Sequence, residues 1–365
     1  MTVFNREHET TSMFLGAPLG IQEYISPKYP KFKELADKQL DQHWRETEAN
    51  HQMDRIQFSN ADYKLKHIFN SNLQFQITAD SVQGRGPFLL MPAISAPELE
   101  LCFGEYGRFE QLHSRTYVHI IRNIYSDPQE VLAPIKDVQE ILNRVSDIVA
   151  YYDNFLDLFH RSKYEKVNPR KLKKALIMCI SAMHILESVQ FFASFACTFA
   201  FSEMRIFEGV AKQLKFIARD ENLHVAINNN IINYWRKGID GEEYVQLLAE
   251  CREEIRACWR RVVDSEKAWA HYLFKYGTPL LGLNAKVLGD YVEYMANKRM
   301  VNVGLEPLSG LDKDPLPWIH RNWLDSTAKQ EAPQETEIVN YRIGAIEADG
   351  QLSNLNFAGL ALPTK

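Results

Sequence analysis

Cysteine is scarce in this chain, with five residues in 365, at positions 102, 179, 197, 251 and 258, and no Cys-x-x-Cys pair among them. An odd count without close pairing argues against a disulfide framework and reads as buried thiols of a reducing compartment. Positive charge is not in excess either. A formal net charge of −5 and a pI near 6.2 leave no basic footprint for nucleic acid. No run of about 18 uninterrupted apolar residues exists, so no membrane-spanning helix is predicted. The first residues, MTVFNREHETTSMF, carry charge early and lack the apolar centre of a signal peptide. A nucleotide-binding glycine motif and a short-period repeat are also missing. What remains is the expectation of a soluble, cytoplasmic protein. At 45% hydrophobic and 12% aromatic residues, it has ample material for a large core.

What the chain does have is helical periodicity. Helices are predicted near 30–47, 58–83, 97–125, 133–162, 169–200, 204–236, 241–276 and 284–303. Breaks carry Pro or Gly, as in GRGP at 84–87, SDP at 126–128, VNP at 167–169 and KGIDG at 237–241. Strand signals are sparse. After about residue 304, LEPLSGLDKDPLPWIHRNW is Pro-rich with two tryptophans and predicts a strap packed on the helical body. From 325 onward the sequence is polar and poorly periodic, which predicts a flexible tail. The expected fold is all-α: an extended segment over 1–29, a long-helix bundle over 30–324 and a tail over 325–365.

One stretch demands a chemical explanation. In FEQLHSRTYVHIIRN, residues 109–123, Glu110, His113 and Tyr117 fall at i, i+3 and i+7 and share one helical stripe with apolar neighbours. A carboxylate, an imidazole and a phenol on a core-facing stripe are costly unless something there uses them. IARDENLH, residues 217–224, repeats the spacing with Glu221 and His224 behind Leu214 and Ile217. One Glu-x-x-His is commonly a surface turn; two on separate long helices, both on apolar stripes, point to a metal pair.

A bundle holding two metals takes one carboxylate from each of two further helices. Phe69, Leu73 and Ile77 lead to Asp80, and Ile180 and Met183 lead to Glu187 with Phe191 and Phe195 beyond. Either acid alone would more often serve as an arginine's partner or as a helix-end residue. Together with the two repeats they complete four carboxylates and two histidines from four helices. Two divalent cations bring four positive charges into a core, and four carboxylates balance them while the imidazoles stay neutral. Oxygen-rich ligation with one nitrogen per metal suits iron or manganese.

Neighbouring polar residues read differently. His184 gives a reversed order with Glu187 and is expected in the core or beside a ligand. His119 faces away from Tyr117, and Glu203 and Glu208 are expected solvated or salt-bridged. Spacing leaves Asp220 open, as an acceptor for the N–H of a metal-bound imidazole or as a surface acid. Tyr117 alone would be core packing, but one turn beyond a ligating histidine it is placed for one-electron oxidation. A phenol is neutral at pH 7, so the electron leaves only if the proton does too.

These residues resemble the small, radical-generating subunit of class I ribonucleotide reductase. The matching stretches are ADSVQGR at 79–85, FEQLHSRTYVHIIRNI at 109–124, LESVQFFASFACTFAF at 186–201, FEGVAKQLKFIARDENLH at 207–224, PWIHRNWL at 317–324 and APQETEIVNYRIGAI at 332–346. The resemblance implies a ferritin-like bundle with additional helices, with Asp80, Glu110, His113, Glu187, Glu221 and His224 as ligands of a di-iron centre activated by O2. It implies Tyr117 as the stable radical, and Phe191, Phe195 and Ile217 as its apolar pocket. Trp44, Asp220, Tyr341 and Glu335 are implied as the radical-transfer residues. Leu355 and Phe357 are placed as anchors of the tail on the large subunit. The tail departs from the family by continuing as AGLALPTK after LSNLNF.

The implied activity is reduction of ribonucleoside diphosphates, started in the large subunit by the oxidising equivalent from Tyr117. A homodimer is implied, with a reductant or ferredoxin-like activator as a further partner. Spacing also accommodates two manganese ions. Two rival readings are a di-iron oxidase or oxygenase on the same bundle, with Tyr117 a plain core residue, and an iron-storage protein.

Overall fold

The computed structural model describes residues 4–277, 280 and 282–324. An irregular segment over 4–29 lays Met13 and Phe14 into the core, and Phe14 bridges to Ile94. Then come α1 (Pro30–Asp41), α2 (Gln52–Asn60), α3 (Tyr63–Gln83), the short α4 (Gly86–Leu90), α5 (Pro97–Ile124) and the single turn α6 (Gln129–Leu132). The second half holds α7 (Gln139–Arg161), α8 (Pro169–Ile185), α9 (Phe191–Glu203), α10 (Glu208–Arg236), α11 (Glu242–Leu273), α12 (Ala285–Asn302) and the short α13 (Pro317–Ile319). Among the described residues, β pairing is confined to two isolated bridges.

Local chemistry explains most boundaries. Prolines open α1, α5 and α8, where a missing N–H costs nothing. Asp62, Asn168 and Asn284 cap α3, α8 and α12 by accepting from backbone amides of the first turn, each contributing about 1 kcal/mol. The Asp62 cap also corrects one expectation. The sequence predicts a single helix over 58–83, whereas extended backbone at Ala61 separates α2 from α3. The helix predicted over 30–47 ends at Asp41 and leaves Trp44 on a loop, with its side chain buried. The segment predicted as one helix over 133–162 opens with a tight turn at Ala133–Asp137 before α7 begins.

α8 and α9 form one nearly continuous rod interrupted by a π-helical turn at Leu186–Gln190. This rod is long and apolar enough to cross a membrane by composition, but its most apolar window is wholly buried inside the protein. The core is rich in aromatic rings; Phe191, Phe195 and Phe199 stack in sequence along the rod. Predicted from 204, α10 instead starts at Glu208, because Arg205 and Phe207 take left-handed backbone angles. Phe207 is held there by its buried ring, packed on Phe69 and Phe201. Asp54 of α2 then caps α10, accepting from the amides of Gly209 at 3.2 Å and Val210 at 3.0 Å. A β-carbon at position 209 would collide with Asp54, so glycine is required for that approach.

The strap is present. Asn297 donates to Ser309 and Leu311 and accepts from the amide of Leu308, fastening the irregular segment that follows α12. Trp323 stacks on Phe199 with centroids 4.5 Å apart and donates to Glu203. All five cysteines are buried and unbridged.

Candidate metal centre

Four elements of the bundle converge on one buried cluster. α3 brings Asp80, α5 brings Glu110 and His113, the π turn brings Glu187, and α10 brings Glu221 and His224. All six side chains are buried. Their ligand atoms fall into two groups, Asp80, Glu110, His113 and Glu221 in one and Glu110, Glu187, Glu221 and His224 in the other, each within 4.8 Å. Glu110 and Glu221 belong to both. His224 Nδ1 lies 2.8 Å from Glu221 and 2.9 Å from Glu110, and His113 Nδ1 lies 3.3 Å from Glu221.

The donor set fits two cations on a direct observation. Both oxygens of Asp80 and of Glu110, one oxygen each of Glu187 and Glu221, and His113 Nδ1 are buried without a hydrogen-bond partner. So many orphaned acceptors in one place would be destabilising in a finished core. Electrostatics agree. Burial pushes Glu110 and Glu187 up to about 7, and burial with mutual repulsion holds Asp80 and Glu221 well above the usual carboxylate range. Burial pushes His224 down to about 3, so it stays a neutral donor.

This predicts a pH dependence. Without metal, the folded state holds protons on Glu110 and Glu187 that the unfolded chain releases near its ordinary 4.5. That contribution is fully present below pH 4.5 and is lost as pH rises through about 7. Metal binding needs the ionised carboxylates and releases those protons. Mn(II) is therefore expected to raise the melting temperature by more at pH 8 than at pH 6, with a chelator reversing the gain. Equal increments at the two pH values in differential scanning calorimetry would contradict it.

Tyr117 is also buried with its hydroxyl facing Asp80, and after burial that carboxylate is the largest influence holding its pKa well above 10. Phe191, Phe195 and Ile217 are fully buried in the same core, although among the described residues no ring contact joins either phenylalanine to Tyr117. Trp44 Nε1 donates to Asp220 Oδ2 at 2.6 Å, and the same oxygen lies 3.3 Å from His113 Nε2. The loop after α1 is thus tied to the stripe of candidate ligands through one carboxylate. His184 is buried beside Ser188 and Trp259, and His119 lies near His51. Tyr341, Glu335, Leu355 and Phe357 lie outside the described residues.

Sequence reasoning missed three residues. Tyr106 donates to Glu187 at 2.5 Å and stacks on His224 with centroids 3.9 Å apart. Its spacing to Glu110 and His113 puts it on the same stripe, which was the available signal. Gln83 and Tyr152 continue the hydrogen bonding behind it.

Four carboxylates and two imidazoles from four elements of a long-helix bundle are the arrangement of the ferritin-like dimetal-carboxylate proteins. The family model described as ribonucleotide reductase, small chain, matches residues 22–315. The chain is 40% identical over 357 residues to ribonucleoside-diphosphate reductase 1 subunit beta of Salmonella typhimurium, with 94% of each chain covered. In fold it is similar to the ribonucleotide reductase R2 subunit from Clostridium botulinum, with TM-score 0.75, 22% identity, and 88% of this chain and 97% of that one covered. It is also similar to dimanganese(II)-NrdF of Streptococcus sanguinis, with TM-score 0.64, 16% identity, and 80% and 95% covered. The chain belongs to the ribonucleotide reductase small-chain family, oxidoreductase subunits that work with a large subunit.

Proposed function

We propose that the two four-residue groups hold a pair of metal ions, iron in the first place, and that Tyr117 stores an oxidising equivalent used by the large subunit to start ribonucleotide reduction. The observation that carries this is the sharing of Glu110 and Glu221 between the two groups, with the Tyr117 phenol beside Asp80. Two ions held there would supply, with dioxygen, the one-electron oxidant.

The rest follows from the chain's own residues. Burial keeps Tyr117 a phenol, so its electron leaves only together with its proton, and Asp80 is the carboxylate placed to take that proton. Phe191, Phe195 and Ile217, all fully buried, would keep water from the stored equivalent. Asp220 holds the Trp44 indole and the His113 imidazole on one oxygen, which suits a path for an electron and its proton between the centre and the loop. Tyr341 and Glu335 would extend that path, and Leu355 and Phe357 would anchor the tail on the large subunit. Action as a cytoplasmic homodimer, with a reductant or ferredoxin-like activator, rests on the family relationship. Oxygen-rich ligation suits Fe(II) and Mn(II) alike.

The test loads wild-type and Trp44→Phe chains anaerobically with Fe(II), or with Mn(II) in parallel, and then admits oxygen. Two irons per chain and an organic radical by electron paramagnetic resonance are expected in both proteins. Deoxyribonucleotide formation with the large subunit is expected from wild type only. Two irons without a radical would favour manganese with a flavoprotein activator, or a plain oxidase. Full turnover by Trp44→Phe would remove Trp44 from the path.

A further inference from the structure

The two histidines are supported unequally. His113 Nε2 faces Asp220, whereas His224 Nε2 is buried without a partner and the ring is covered instead by Tyr106. Orientation of the second group must therefore come from elsewhere, and a hydrogen-bonded chain ends on its carboxylate. An ionised Glu187 can only accept, so the Tyr106 hydroxyl must donate to it, at 2.5 Å. With its proton committed, the Tyr106 oxygen accepts from Gln83 Nε2 at 2.7 Å. That fixes the Gln83 amide, whose oxygen accepts from the Tyr152 hydroxyl at 3.0 Å. Every donor points toward Glu187, and bonds aligned this way strengthen one another in a medium of low dielectric.

Tyr106, Gln83 and Tyr152 are all buried, so water does not compete along the chain. Its far end is set by backbone. A β-carbon on Gly86 would overlap the Tyr152 hydroxyl, so glycine at the start of α4 leaves the space in which that oxygen sits. The chain thus joins α4, α7, α3 and α5 to the π turn.

We infer that Tyr152, Gln83 and Tyr106 are positioning residues that orient Glu187 and set chiefly the metal affinity of the Glu110, Glu187, Glu221 and His224 group. The inference rests on the metal-centre reading above. The other group, which shares Glu110 and Glu221 but has Asp80 and the Asp220-backed His113 as its own ligands, depends on the chain only through the shared pair. Neither Gln83 nor Tyr152 is a ligand, so changing either breaks the chain without removing a donor atom from the metals.

The test titrates Co(II) anaerobically into the full chain, followed by calorimetry and ligand-field absorption. Wild type is expected to bind two ions. Tyr152→Phe, Gln83→Met and Gly86→Ala should each weaken one of the two affinities about 10–100-fold, the usual cost of losing a partner behind a ligand. The other affinity should fall by a clearly smaller factor, because its own ligands, Asp80 and the Asp220-backed His113, lie off the chain and only the shared Glu110 and Glu221 transmit the change. Adding Tyr152→Phe to Glu187→Gln should cost nothing beyond Glu187→Gln, because the chain would have no ionised carboxylate left to orient. Two unchanged affinities, or both falling equally in all three variants, would overturn the inference. Failure of wild type to bind a pair of ions would overturn the metal-centre reading and the inference with it. Urea unfolding of the metal-free variants separates loss of fold from loss of binding; Tyr152→Phe and Gly86→Ala act on the Tyr152 hydroxyl and Gln83→Met on the next link, so one unstable variant leaves two.

Discussion

Tyr117→Phe is expected to reduce deoxyribonucleotide formation with the large subunit to background while leaving two metal ions per chain in place. The substitution removes one oxygen and nothing else. The Tyr117 hydroxyl faces only the Asp80 carboxylate, so its loss removes a single polar interaction, and folding stability should change by no more than about 1 kcal/mol. The phenylalanine ring has no proton to release with an electron, so the oxidising equivalent cannot be stored at position 117. Electron paramagnetic resonance of the iron-loaded, oxygen-exposed variant should lack the organic radical of the wild type at equal metal content. Wild-type turnover from the variant would make Tyr117 an ordinary core residue and favour an oxidase on the same bundle.

The largest effect on stability is expected at a site with no metal ligand. Arg144 on α7 and Glu266 on α11 form a buried, doubly hydrogen-bonded ion pair, with both contacts at 2.6 Å. The guanidinium lies over the Phe75 ring at 3.2 Å and 4.5 Å from the Trp269 ring. Gln190, the last residue of the π turn, donates to the Arg144 carbonyl and accepts from the guanidinium through its own. Arg144→Met leaves the Glu266 carboxylate buried beside apolar rings, and stability should fall by about 3–5 kcal/mol. The double variant Arg144→Met, Glu266→Leu removes both charges and should recover most of that loss. Urea unfolding measures both, with a lower midpoint at unchanged slope expected for the single variant. A single variant as stable as wild type would mean that water or another cation reaches Glu266.

The candidate metal-binding stripe is legible in the sequence because its residues contradict their surroundings. Acids and histidines at helical spacing among Phe, Leu and Ile are costly to bury unless a cation balances them, and the six residues of that pattern meet in space. Tyr106 satisfies the same spacing, but a tyrosine in a core carries no charge to balance and so gives no comparable signal. The Arg144 and Glu266 pair is illegible, since 122 residues separate them and neither has a distinctive local pattern. Trp44 falls inside a predicted helix, yet its anchor to Asp220 depends on a loop whose course is set by tertiary contacts. The break at Ala61 has a visible signal in Asp62. The left-handed residues before α10 have none, because Phe207 holds its angle through packing against rings that include Phe69, far away in sequence.

The π turn at Leu186–Gln190 has a consequence for how this rod can change. Widening one turn advances everything after it by about one residue relative to a regular helix. Glu187 within the turn and the phenylalanine run after it can therefore keep separate angular phases, one answering to charge and the other to the apolar wall. Side chains on either side of the turn are free to vary independently, whereas an insertion or deletion within it would swing one set out of alignment with the other. The rod behaves as two helices coupled by a phase shifter, with Glu187 mounted on the coupling.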